Sequence, residues 1–166
     1  EEVGSQSSQG AGGPMLEHVL ERLSVAAGSS RSDYLVSLQK SHCVSADNAH
    51  AVHPNYVDRH ELNNAPLINE GVVVKTNVSQ RYATSPNSLV PIVHAAATAG
   101  VNLQTFSSRN NIACGSTIGP ITATRIGIET VDIGVPQLSM HSIREMCGTK
   151  DPVDLVALLS AYFSRS

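Results

Sequence analysis

The chain has 166 residues, 41% of them hydrophobic, which is enough for one buried core and excludes disorder, collagen or a coiled coil as a description of the whole. Eleven Lys plus Arg against 14 Asp plus Glu give a net charge of -3 with no basic run, so a nucleic-acid partner has no electrostatic support. No apolar run approaches the roughly 20 residues of a membrane span, and Cys43, Cys114 and Cys147 form no C-x-x-C pair, which points to a reducing, cytoplasmic compartment and away from a thiolate zinc site.

The first residues, Glu1-Glu2-Val3-Gly4-Ser5, read as the interior of a motif, so the chain is expected to be a fragment. Pro14 suits a first helical turn, and Met15, Leu16, Val19, Leu20 and Leu23 recur at helical spacing, predicting a helix over 14–27. Residues 28–32 read as a loop, Asp33 as the N-cap of a short helix over 34–39, and 42–46 as a buried strand. From 47 to 70 the chain carries Pro54, Pro66 and several Asn without periodicity, a long loop of the kind that often carries function. Strands are predicted over 72–75, 103–107 and 130–135. Helices are predicted over 89–99, closed by Gly100, over 117–126, ended by Gly127, and over 152–164, with Asp151 as cap and Leu155, Leu158, Leu159 and Tyr162 inward. Strands alternating with helices predict an α/β layered domain with a largely parallel sheet, and ligand chemistry at the strands' carboxyl ends, near Asp47 and after Val135.

Asp47, His50 and His53 form the densest polar group. Asp and His are ligands of zinc, manganese and cobalt sites that lack sulfur, although this spacing alone favours a turn-capping Asp with two surface histidines. The pair Glu1 and Glu2 offers one metal ligand and one general base, since a base must sit beside the activated water without binding the ion. His141, just past a strand, offers an imidazole at the same sheet edge. His60-Glu61 lacks the second His of a zincin helix, the glycine patterns match neither a dinucleotide fingerprint nor a P-loop, and Cys114 reads as a buried structural thiol.

Five segments together resemble the aspartyl aminopeptidases, dinuclear zinc exopeptidases that release acidic residues from peptide N-termini: EEVGSQSSQGA at 1–11, SADNAHAVHPNY at 45–56, VVKTNVSQRYAT at 73–84, RNNIACGSTIGPI at 109–121 and DIGVPQLSMHSIRE at 132–145. The resemblance implies a layered helix-sheet-helix zinc-exopeptidase-like α/β domain. Residues 1–166 would be its C-terminal part, with the upstream catalytic part and an inserted β-rich domain absent. It implies Glu1 as catalytic base and Glu2, Asp47 and His141 as ligands to two zinc ions, with manganese or cobalt as substitutes. His50 and His53 are implied in catalysis, His53 as an oxyanion donor reaching a neighbouring subunit's site. Lys75 is implied to pair with the acidic side chain of the substrate, and Gly115, Ser116 and Thr117 to form the wall of that pocket. A dodecameric homo-oligomer acting on peptides is implied as well, and an isolated fragment lacking the bridging carboxylate is expected to be inactive. Asn48 and Asn111 depart from the family pattern beside the pocket. The alternatives are the same chemistry with a neutral or hydrophobic N-terminal preference, with Lys75 as a strand-end surface lysine, and a non-catalytic assembly subunit.

Overall fold

Residues 5–165 are described by the structure, a computed structural model. In chain order they form α1 (Met15–Ala26), α2 (Arg31–Gln39), β1 (His42–Ala46), β2 (Ala49–His50), β3 (Val72–Thr76), α3 (Pro86–Ala99), β4 (Leu103–Ser107), α4 (Gly119–Ile126), β5 (Glu129–Gly134), β6 (Pro136–Leu138), β7 (Met146–Cys147) and α5 (Asp151–Phe163). The predicted long loop between β2 and β3 is present, punctuated by single 3-10 turns at Val57–Arg59 and Leu62–Asn64.

All five helix starts differ from the expectation, those of α1 and α4 only by falling one and two residues later, at Met15 and Gly119. In α2 the N-cap is Ser30, whose side chain accepts from the Asp33 N–H while the Asp33 carboxylate accepts from the Ser30 N–H. Asp33 is therefore the third helical residue of a capping box rather than the cap. In α3 the pair Ser85-Pro86 supplies cap and first residue, so the helix begins three residues before the predicted 89. Asp151 is the first residue of α5, preceded by Lys150 as N-cap. Fully buried, its carboxylate accepts from the Gly148 and Asn69 N–H groups at 2.9 Å and so pins the loop ahead of β3 to the start of α5.

The main sheet has the order β1-β5-β3-β4. β1 pairs parallel with β5 and β3 parallel with β4, but β3 and β5 run antiparallel, with Val73 opposite Gly134 and Val74 opposite Ile133. The sheet is thus mixed, not largely parallel. Between neighbouring strands only β3–α3–β4 is a helical crossover, the connection that imposes parallel pairing. The long loop leaves β3 free to enter with the opposite sense to β5.

Val72, Val74, Val131 and Ile133 project from one face of the sheet onto Ile92, Ala95 and Ala96 of α3 and Leu158 and Tyr162 of α5. Of the expected inward residues of α5, Leu158 and Tyr162 are buried, with Leu155 and Leu159 partly buried beside them. A smaller group, Ala49, Val73, Tyr82 and Phe106, packs on the other face. α2 and α4 join through Tyr34, Leu38 and Ile126, with Leu20 of α1 against them. The remaining apolar stripe of α1, including Met15, Val19 and Leu23, stays exposed among the described residues.

His42 ties the edge strand β1 to both helices of the apolar face. Its Nδ1 lies 2.7 Å from the Tyr162 hydroxyl and its Nε2 2.9 Å from the Ser88 carbonyl. The carbonyl requires the proton on Nε2, so neutral imidazole accepts the Tyr162 O–H on Nδ1. Burial, opposed by the bond to Ser88, holds the His42 pKa below the usual imidazole value. As pH falls below about 6.5 the unfolded chain binds this proton before the folded one does, so stability should drop until the lower native pKa is passed. Denaturant midpoints measured from about pH 7.5 to 5 should decline in the native protein. In His42→Gln that decline should be shallower, on a baseline lower by about 1 kcal/mol for each hydrogen bond lost.

Candidate active site

The site begins where two paired strands leave the main sheet. Beyond β1 and β5 the two strands stay linked side by side: Asp47 N–H donates to Ile133 O, Ala49 N–H to Val135 O and Ala51 N–H to Gln137 O, each at 2.9 Å. The ribbon then becomes β2 and β6, two strands of a second sheet ordered β2-β6-β7. Asp47 and Gly134 stand at the bend. A Cβ on Gly134 would lie 1.3 Å from the Asp47 carbonyl oxygen, so no residue with a side chain fits there. The Asp47 carboxylate is consequently held at a strand end, with Oδ1 accepting the Asn48 N–H at 2.7 Å and Oδ2 lying 3.7 Å from Lys75 Nζ.

Lys75 comes from β3. Strand alternation puts Val72 and Val74 into the main core and turns Val73 and Lys75 to the opposite face. Lys75 is only 2% exposed, donates to the Asn48 carbonyl at 3.1 Å and has its ammonium 5.5 Å from the centre of the Tyr82 ring. A strand-end surface lysine is thereby excluded. His141 arrives from the turn after β6, where Ser139 and His141 hold left-handed φ values of 57° and 66°. Non-glycine residues resist that region by about 1–3 kcal/mol each, strain of the kind found where function dictates a side chain's direction. The His141 N–H is tied to the Glu145 carboxylate.

Asp47, His50, Lys75, Gly115, Ser116, Thr117 and His141 line one pocket of ≈ 100 Å³, joined by Asn48, Ala49, Tyr82 and Met140. Of the wall residues, Gly115 and Ser116 are exposed, whereas Thr117 is buried and donates its hydroxyl to Asp132 Oδ1 at 2.7 Å. Asp132 is fully buried on β5, and its Oδ2 accepts the Ala83 N–H at 2.6 Å. A Cβ on Gly119 would fall 2.3 Å from that oxygen, so α4 starts directly against the carboxylate, where a helix N-terminus favours negative charge. Arg81 fastens the same loop by donating to the Cys114 and Gly115 carbonyls. Asp132, Arg81 and Tyr82 escaped the sequence reading. For Asp132 the visible signal was a lone acid inside the apolar strand TVDIGV.

His53 lies outside this pocket. It lines an adjoining cavity of ≈ 480 Å³, with its Nδ1 accepting the Asn55 N–H at 3.1 Å. His50 lines both spaces and packs on Phe106 with ring centres 6.2 Å apart. Desolvation, reinforced by His141 and Lys75, depresses the His50 pKa. Glu1 and Glu2 lie outside the described residues. Among the described residues no group of three or more His, Cys, Asp or Glu side chains is close enough to hold a metal ion. Asp47 and His141 do bring an oxygen and a nitrogen donor to one pocket, a donor pair zinc accepts. No helix among these residues is long and apolar enough to cross a membrane.

The family described as aminopeptidase I zinc metalloprotease (M18) matches residues 1–163. A probable M18 family aminopeptidase 2 of Pseudomonas savastanoi pv. phaseolicola is 49% identical over 164 residues, covering 99% of this chain and 37% of that protein. Among solved structures, a chain in the cryo-EM structure of the Ape4 and Nbr1 complex superposes with a TM-score of 0.93 at 47% identity, covering 97% of this chain and 30% of that one. The S. cerevisiae mApe1 dodecamer gives a TM-score of 0.83 at 31% identity, covering 98% of this chain and 36% of that one. The chain therefore spans about 37% of the length of the curated relatives it matches.

Two substitutions test this framework. Gly134→Ala should destabilise the protein by about 3 kcal/mol, because the methyl meets backbone that cannot yield. Asp132→Ala should cost about 3 kcal/mol by stripping the Thr117 hydroxyl and the Ala83 N–H of their buried acceptor. Urea midpoints read both, and a change under about 1 kcal/mol in either would contradict the corresponding contact.

Proposed function

The chain belongs to the aminopeptidase I zinc metalloprotease family, M18, and from that premise we propose that it forms the C-terminal part of the catalytic domain of a metal-dependent aminopeptidase releasing N-terminal Asp or Glu from peptides. The observation that carries this reading is Lys75, an ammonium 2% exposed that lines the same pocket as Asp47 and His141. A cation so far removed from water strongly favours an arriving carboxylate over a neutral side chain.

Asp47 and His141 would hold zinc, with Glu2 as a third ligand, and the other ligands would belong to the length of the relatives that this chain does not span. Zinc bound there supplies Lewis-acid polarisation of a peptide carbonyl and a more acidic water. Glu1 would take a proton from the attacking water and pass it to the departing amine. His53, on the loop before β3, would donate to the developing oxyanion in a neighbouring subunit's site, within a homo-oligomer that is dodecameric in the mApe1 relative. Gly115, Ser116 and Thr117 wall the pocket that takes the acidic side chain, and Asp132 and Arg81 hold that wall in place.

The test is release of N-terminal Asp against Leu from otherwise identical peptides by the full-length protein, with and without a chelator. Chelation should abolish release, and Lys75→Ala should lower turnover of the Asp peptide about 100-fold, roughly 3 kcal/mol, with little effect on the Leu peptide. Faster release of Leu in the native protein would keep the hydrolysis and discard the role of Lys75. Failure to release either residue from the metal-loaded protein would favour an assembly subunit.

A further inference from the structure

The turn that carries His141 has to solve a backbone problem before any chemistry begins. β6 and β7 pair antiparallel, with Leu138 opposite Met146 and Gln137 opposite Cys147, so residues 139–145 must reverse the chain between two fixed strand ends. Ser139 and His141 both take left-handed φ values inside that turn. Residues with a side chain persist there only where neighbouring contacts over-determine the backbone.

The contacts that hold this turn are few. Ser142 N–H donates to the Ser139 carbonyl and Arg144 N–H to the Ser142 hydroxyl, each at 3.0 Å. The third bond runs from the His141 N–H to the Glu145 carboxylate, and it alone grips the backbone of His141 itself. Glu145 directly precedes Met146, whose register with Leu138 is set by the ladder, so the sheet places Glu145 and Glu145 restrains His141. An ionised acceptor makes such a bond roughly twice as strong as a neutral one. Among the described residues Glu145 forms no ion pair, and it does not line the pocket that Asp47 and His141 share. Its carboxylate therefore acts through another residue.

We infer that Glu145 is a positioning residue, which holds His141 in the left-handed conformation and so keeps the imidazole in the pocket beside Asp47. The inference rests on the reading of His141 as a zinc ligand. It assigns the ring to the metal and the aim of the ring to a carboxylate four residues later.

The test measures zinc affinity of the full-length protein by competition with a chromogenic chelator. Glu145→Ala should weaken binding about tenfold or more, within the roughly 10–100-fold typical of groups that orient a metal ligand. Glu145→Gln keeps an acceptor oxygen at the same reach and should stay within about threefold of the native protein. A merely structural role predicts a lower urea midpoint of the metal-free Ala variant with the zinc affinity of its folded form unchanged, and that result overturns the inference. His141→Ala separates the two readings. Loss of affinity there, with Glu145→Ala binding as the native protein does, overturns the role of Glu145 alone; native affinity in His141→Ala overturns the ligand reading as well. Residue-resolved hydrogen exchange on the native protein needs no variant: relative to intrinsic rates, the His141 amide should exchange more slowly than that of Ile143, a fully exposed residue of the same turn. Equal protection would overturn the inference.

Discussion

The tightest constraint among the described residues is the approach of Gly134 to the carbonyl of Asp47, where a Cβ would sit 1.3 Å from oxygen. Through this contact β1 and β5 leave the main sheet together and re-form as β2 and β6, with the Asp47–Ile133 and Ala49–Val135 backbone hydrogen bonds spanning the bend. Everything chemical is placed by that bend. Asp47 occupies it, Asn48 offers its carbonyl to Lys75 from it, and the turn bearing His141 follows the strand that it launches. A carboxylate at a strand end is cheap to position because the ladder has already fixed the backbone.

The faces of the main sheet divide the remaining work. One face is mainly aliphatic, packed against α3 and α5. On the other, the register pairing Val73 with Gly134 and Val74 with Ile133 places Lys75 and Asp132 side by side in sequence order along the two strands. Both charges are buried, and each organises a different wall: Lys75 faces Asp47 and Tyr82, while Asp132 gathers Thr117, Ala83 and the start of α4. Buried charges with named partners are costly to break and are poor substitutes for an apolar core. Their concentration on a single face marks that face as the one shaped by function, and the aliphatic face as the one that supplies stability.

Much of this was legible in the chain itself. β1 and β4 were read at the bounds observed, and Gly100 and Gly127 close α3 and α4 in the left-handed conformation expected of a helix-ending glycine. Asp47, Lys75 and His141 were singled out and do converge, although 66 residues separate the last two, which no local periodicity can reveal. The misses have physical causes. Asp33 was mistaken for a cap because both partners of a capping box are good caps on their own. The antiparallel β3–β5 pairing is decided by the path of a loop without repeating pattern. Asp132 was overlooked because a buried acid reads from sequence like any other strand residue until the hydroxyl and amides that satisfy it are seen. Glu1 and Glu2 lie outside the described residues and rest on the resemblance.

The two sheets also separate the demands a peptide hydrolase of the proposed kind must meet. Groups proposed to handle the N-terminal residue come from the ends of the main sheet's strands, where β1 is paired with β5, and β3 with β4 and β5, close to Asp47 and Lys75. The second sheet and the long loop that carries His53 consist of brief elements. Rigidity is required where a charge must be met at a fixed distance, since an error of about 1 Å in placement costs roughly 100-fold in rate. The bend at Gly134 joins the two regimes, and its steric closure keeps the looser sheet from pulling Asp47 out of line.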